Sequence, residues 1–228
     1  MGKYSVRYII ISLLIIVYLP LVGSAEYNNL TLTKTNKVVA ASFSKIAQEL
    51  QSKGDFLGSV TYLQMAVDAN PNSYIYREWL ADTYLIVGDQ LSLLLAVDEY
   101  QRVIAIYPRY HSYAGLQKAA MLAGEPLTAL TATEKLFSFR KAGDLTYLAD
   151  LGLLYILLDE PDRGIQYFIK QIQKGNDQSV IKLTMAGIYE YQNNYQQSGL
   201  LAKQVITTLG QDDPLIIIAK QIIERSKQ

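Results

Sequence analysis

Apolar and polar positions along this chain follow a helical period that is broken at regular intervals. Phe43, Ile46, Ala47 and Leu50 fall three or four residues apart, as they do on one face of a helix. Gly54 interrupts the run. A second run carries Phe56, Ser59, Leu63 and Ala66 before Asn70-Pro71 ends it. The unit predicted is a helix, a turn and a second helix.

The interruption recurs. Gly88 follows Gly54 by 34 residues, Gly124 comes 36 later, Asp159 35 later and Asn193 34 later. All five are residue types that tolerate the left-handed conformation at a helix C-terminus. Seven residues before each break sit Ala47, Ala81, Gln117, Gly152 and Ala186, and four before it Leu50, Tyr84, Ala120, Tyr155 and Tyr189. Five residues after it come Ser59, Ala129, Gly164 and Ser198. Small residues let two helices approach closely, and the larger ones fill the space beside the contact. Each pair then exposes an apolar face that only a neighbouring pair can bury.

A period near 34 with these residues resembles the tetratricopeptide repeat (TPR) family, over about residues 40 to 210 and in five copies. The first copy, residues 40–73, matches best, with Phe43, Ile46, Ala47, Leu50, Gly54, Phe56, Ser59, Leu63, Ala66 and Pro71 at signature positions. The resemblance implies an all-α, right-handed α-solenoid of about five helix pairs. Some copies depart from the pattern. Gly88 to Pro108 is 20 residues where Gly54 to Pro71 is 17, so repeat two carries three extra residues within "QLSLLLAV", with Ala96 at the shifted packing position. The third copy has Gln117 where a small residue is expected, and the fourth has Asp159 for the glycine and no closing proline.

The ends of the array are distinct. Residues 1–25 join Lys3 and Arg7 to an apolar stretch from Tyr8 to Val22 and then Gly23-Ser24-Ala25, the layout of a secretory signal peptide or an uncleaved anchor. Residues 26–39 are rich in Asn and Thr and read as a flexible lead-in, and residues 40–212 as the array. Residues 213–228 read as a capping helix. Asp213 is suited to cap it, Pro214 to open it, and Leu215, Ile218 and Ile222 form its apolar face.

Charge and composition narrow the chemistry. The 21 basic and 21 acidic residues balance, which excludes the basic excess of a nucleic-acid binder. Losing Lys3 and Arg7 with the signal segment leaves 19 basic against 21 acidic residues. There is no cysteine and only one histidine, His111, so a typical zinc site is not expected. No phosphate loop, dinucleotide fingerprint or nucleophile elbow is present. Adjacent acids such as Asp98-Glu99 read as solvated helix faces. No enzyme, cofactor or metal is expected. Several of the 18 tyrosines fall at packing positions, while Tyr107, Tyr110 and Tyr113 cluster where copies two and three join.

The resemblance also implies a binding surface, because the first helix of each pair lines the concave side of such arrays. Family-style inward positions include Glu78, Asp82 and Leu85 in copy two, Lys118, Met121 and Leu122 in copy three, Leu153, Ile156 and Leu157 in copy four, and Tyr191 in copy five. Val180, Leu183, Gly187 and Glu190 share that register. The lysine, asparagine and arginine clamp by which some members hold a chaperone's C-terminal carboxylate is missing. The surface starts polar, becomes acidic at copy two and turns apolar from copy three to copy four. The expectation is an exported, non-catalytic scaffold of the bacterial periplasm that binds a protein or peptide segment in an envelope assembly. A membrane-anchored or secreted form is the alternative placement. An accessory protein of exopolysaccharide synthesis or export that contacts glycan is the alternative function.

Overall fold

The computed structural model describes residues 36–139, 146–176, 178–210 and 212–227. The expected signal segment and the lead-in up to residue 35 lie outside them. Residues 36–39, assigned from sequence to the lead-in, are instead the first turn of α1, residues 36–52. No glycine or proline stands in that turn to stop the helix, and Ala40 directly after it is fully buried.

Ten further helices follow: α2 (Phe56–Ala69), α3 (Tyr74–Val87), α4 (Gln90–Ile106), α5 (Tyr110–Ala123), α6 (Pro126–Ser138), α7 (Thr146–Leu157), α8 (Pro161–Gln173), α9 (Gln178–Tyr191), α10 (Tyr195–Thr208) and α11 (Leu215–Arg225). There is no strand among the described residues. The chain is an all-α array of the TPR solenoid type. It divides into two compact units, Met1–Thr83 and Tyr84–Gln228.

The five breaks have the expected conformation. Gly54, Gly88 and Gly124 have φ of 82°, 73° and 77°, and Asp159 and Asn193 have 55° and 58°. The left-handed residue lets the next amide turn back on the helix it leaves. The N–H groups of Asp55, Glu125, Glu160 and Asn194 donate to the carbonyls of Leu50, Ala120, Tyr155 and Tyr189 at 2.8–2.9 Å. Each turn then starts the second helix. The carboxylates of Asp55 and Asp89 accept from the Gly58 and Ser92 amides, and the Asn194 side chain accepts from Gln197. Pro126 and Pro161 open α6 and α8, where a missing N–H costs nothing. Gly175, with φ of 81°, adds a left-handed turn after α8, in the copy that lacks the closing proline.

In the first unit Gln51 of α1 bridges to α3. Its Nε2 donates to Thr83 Oγ1 at 2.8 Å, and its Oε1 accepts from Trp79 Nε1 at 3.0 Å. In the second unit each helix packs on its sequence neighbour, and α7 and α9 also pack side by side. Ala186, Ala129 and Gly164 are buried at these contacts. A side chain at Gly164 would collide with the Tyr155 ring, so the glycine lets α8 lie against it. The departures are absorbed locally. The extra residues of repeat two lengthen α4 to 17 residues, against 13 in α6 and α8, and Ala96 is fully buried. Gln117 is buried, and its amide donates to Asp150 Oδ2 at 3.1 Å, so α5 and α7 share a hydrogen bond where small residues meet elsewhere.

Candidate functional site

The last repeats of the second unit form an apolar groove of about 350 Å³. Three helices build it. α7 contributes Ala149, Gly152, Leu153 and Ile156. α9 contributes Val180, Leu183, Thr184, Gly187 and Ile188, and α11 adds Leu215 and Ile218. No ionisable side chain lines it, and Thr184 turns its hydroxyl back to the Val180 carbonyl at 3.0 Å. The groove therefore offers little besides apolar contact. The volume is at the small end for a ligand site.

Its base is held rigidly. Leu183, Ala186, Ala202, Val205, Ala219 and Ile222 form one buried cluster beneath the α9–α10–α11 junction. At the far end of α9, Glu190 accepts both Arg225 Nε and Nη2 at 3.0 Å, a bidentate pair that fastens α11. The Glu190 carboxylate beside it raises the Arg225 pKa further. Glu190 belongs to the inward register but is neutralised there and is not a free charge beside the groove.

Gly187 gives the groove its shape. Glycines inside helices usually have a packing reason, and here most do. A Cβ at Gly115, Gly152, Gly164 or Gly199 would meet Tyr100, Thr184, Tyr155 or Ser226. At Gly187 it would meet nothing within 4 Å. Gly187 is the one helix-interior glycine among the described residues with open space in place of the missing side chain. Glycine costs a helix about 1 kcal/mol relative to alanine, and close approach of a ligand to the backbone is one reason to bear that cost.

Only some of the sequence-predicted residues meet. Leu153, 46% exposed, and half-buried Ile156 lie in the groove. Lys118, Met121 and Leu122 are on α5; Lys118 and Leu122 are exposed and Met121 is half-buried. Leu157 and Tyr191 are exposed at the C-terminal ends of α7 and α9, and Leu85 is half-buried on α3. Asp82 is half-buried and, like Glu78, belongs to the first unit. Glu78 is corrected: at 6% exposed it is part of the helix packing and offers no open binding surface. Leu215 and Ile218 were assigned to a cap and not to the site. Their periodicity gave an apolar face. That face splits, with Ile222 in the core and Leu215 and Ile218 at the groove.

No family model matches the chain, and no curated protein matches it. Solved structures do. The MamA protein is 19% identical, with 74% of this chain and 91% of that one covered and a TM-score of 0.54. MamA residues 41 to the end from Desulfovibrio magneticus RS-1 is 15% identical, with 83% and 97% covered and a TM-score of 0.51. YrrB, described as a TPR protein with an unusual peptide-binding site, is 14% identical, with 82% and 95% covered and a TM-score of 0.53. At these identities the likeness is one of fold.

Proposed function

We propose that this chain is an exported, non-catalytic adaptor that holds a protein segment in the α7–α9–α11 groove, as part of an assembly in the bacterial periplasm. The observation that carries the reading is Gly187, a helix-interior glycine facing open space in an uncharged groove. Such a groove suits aliphatic side chains presented by a helix or an extended peptide. The TPR-type fold and the peptide-binding site described for YrrB support a protein ligand. Export rests on residues 1–25, and removal of that segment distinguishes a free protein from an anchored one. Among the described residues no helix is long and apolar enough to cross a membrane.

Photo-crosslinking in the host tests this. A crosslinker at Leu153 is expected to capture a discrete protein, and one at exposed Lys170 on α8 is not. Equal capture from both positions, or from neither, contradicts it.

One observation favours the glycan reading. Tyr107 is 50% and Tyr110 39% exposed, Tyr110 and Tyr147 share a 2.7 Å hydroxyl contact, and Tyr113 packs on Phe139 at 5.6 Å between ring centroids. This aromatic patch is separate from the groove. Quenching of tyrosine fluorescence by soluble oligosaccharide, abolished by Tyr107→Ala, supports that function in place of the adaptor.

A further inference from the structure

Oxidation chemistry in this chain does not fall to sulfhydryl groups. There is no cysteine, so no thiol competes for an oxidant and no disulfide can tie one helix to another. Four methionines, one tryptophan and 18 tyrosines are left. Of these, tyrosine is the type that joins covalently to its own kind. Two tyrosines are placed for it. Tyr110 opens α5 and is exposed, and Tyr147, half-buried, is the second residue of α7. Their hydroxyls lie 2.7 Å apart, so one donates to the other. Their rings stand edge to face with centroids 6.0 Å apart. The two positions are 37 residues apart in the chain, so the fold and not the local sequence brings them together.

The hydroxyl contact matters because a phenol gives up its proton as it gives up an electron. Here the accepting oxygen already holds the donor's proton in a hydrogen bond. Holding both rings on packed helices makes their coupling an intramolecular step. The outer torsion of a tyrosine is broad, so the exposed ring can turn an ortho carbon towards its neighbour. Exposure admits the oxidant. Other tyrosines lack one of these features. Tyr155 and Tyr167 have the same 6.0 Å centroid separation, but Tyr155 is fully buried and its hydroxyl donates to Glu134 at 2.6 Å. Tyr107 is 50% exposed, with the Arg109 guanidinium 5.9 Å over its ring.

We propose that Tyr110 and Tyr147 form an oxidative cross-linking site that ties the start of α5 to the start of α7. The oxidant is a one-electron acceptor of the class that a haem peroxidase makes from hydrogen peroxide. Each phenol loses one electron and one proton. The two phenoxyl radicals join ortho carbon to ortho carbon, and the hydrogen on each of those carbons moves through solvent to its own phenolic oxygen. The two protons and two electrons that leave the protein reduce one peroxide to two waters. The link closes a loop around α6 and restricts the unfolded chain as a disulfide would. It does not depend on what the groove holds.

Treatment of the dilute, purified full chain with a haem peroxidase and hydrogen peroxide tests this. The expected product is a monomer lighter by two hydrogen atoms, with dityrosine fluorescence and one linked peptide pair that contains Tyr110 and Tyr147. Its melting temperature is expected to rise by about 5 °C or more. Tyr110→Phe keeps the ring and removes the hydroxyl, and is expected to lower the yield of the link by about tenfold or more. Tyr147→Phe is the second variant if the first loses helix content. Tyr107→Phe removes the more exposed phenol and is expected to leave the yield unchanged. A yield that follows exposure alone, with Tyr107 joined as readily as Tyr110, overturns the proposal. So does linkage between molecules in place of the internal link, oxidation of other tyrosines with Tyr110 and Tyr147 left unjoined, or an unchanged mass. A linked monomer that melts no higher overturns the tie between the helices.

Discussion

Small side chains serve two opposite purposes in the second unit. At Ser198 the small residue admits a neighbouring helix, and its hydroxyl is buried without a hydrogen-bond partner. Burying a polar group unpaired costs about 1–3 kcal/mol. Ser198→Ala keeps the size and removes the cost, so thermal melting is expected to rise by about 2–4 °C. At Gly187 the small residue leaves space. Gly187→Ala is expected to stabilise the helix by about 0.5–1 kcal/mol in denaturant unfolding, because nothing opposes the new methyl group. A loss of stability would show that the notch is not open. Tyr155 and Tyr167 act through their hydroxyls. Tyr155 is fully buried and donates to Glu134 Oε1 at 2.6 Å. Burial first, and then this carboxylate, push its phenol well above the usual tyrosine range, and burial pushes Tyr167 up to about 12. In the unfolded chain both ionise near pH 10. Below about pH 10 both states keep these protons and stability does not depend on them. Above it the unfolded chain binds fewer protons, so stability falls as pH rises towards 12. Denaturant midpoints measured from pH 8 upwards check this, and Tyr155→Phe is expected to shallow the alkaline fall.

Among the elements, α11 most changes the account read from sequence. Its core side is expected to matter more than its ion pair. Ile222→Ala opens a cavity in the α9–α10–α11 cluster and is expected to cost about 2–4 kcal/mol in denaturant unfolding. Arg225→Met is expected to cost no more than about 1 kcal/mol, because Arg225 is largely exposed. The reverse order would mean that the helix is held by charge. The helix pairs and their turns were legible because left-handed Gly, Asp and Asn recur at a fixed period and each has one conformational reason to be there. The inward register of α7 and α9 was legible for the same reason, and Leu153, Ile156, Val180 and Leu183 all reach the groove. The role of α11 was not. No left-handed Gly, Asp or Asn break marks α11 as it marks the earlier helix pairs, so its apolar face alone did not divide Leu215 and Ile218 from Ile222. Glu78 was misplaced because register gives the direction of a position, while burial depends on what packs over it.

For the whole molecule, stability is a sum of helix pairs and nearest-neighbour contacts, and the groove arises where α7, α9 and α11 meet. Circular dichroism is expected to be strongly helical, with no strand signature. The central claim is that the Gly187 notch is where a protein partner enters. The most direct measurement is Gly187→Leu with the crosslinker at Leu153 in the host. The added side chain fills open space on an already formed helix, so folding stability is expected to change by no more than about 1 kcal/mol. Capture from Leu153 is expected to be lost. Undiminished capture by a variant with unchanged helix content and melting would contradict the account.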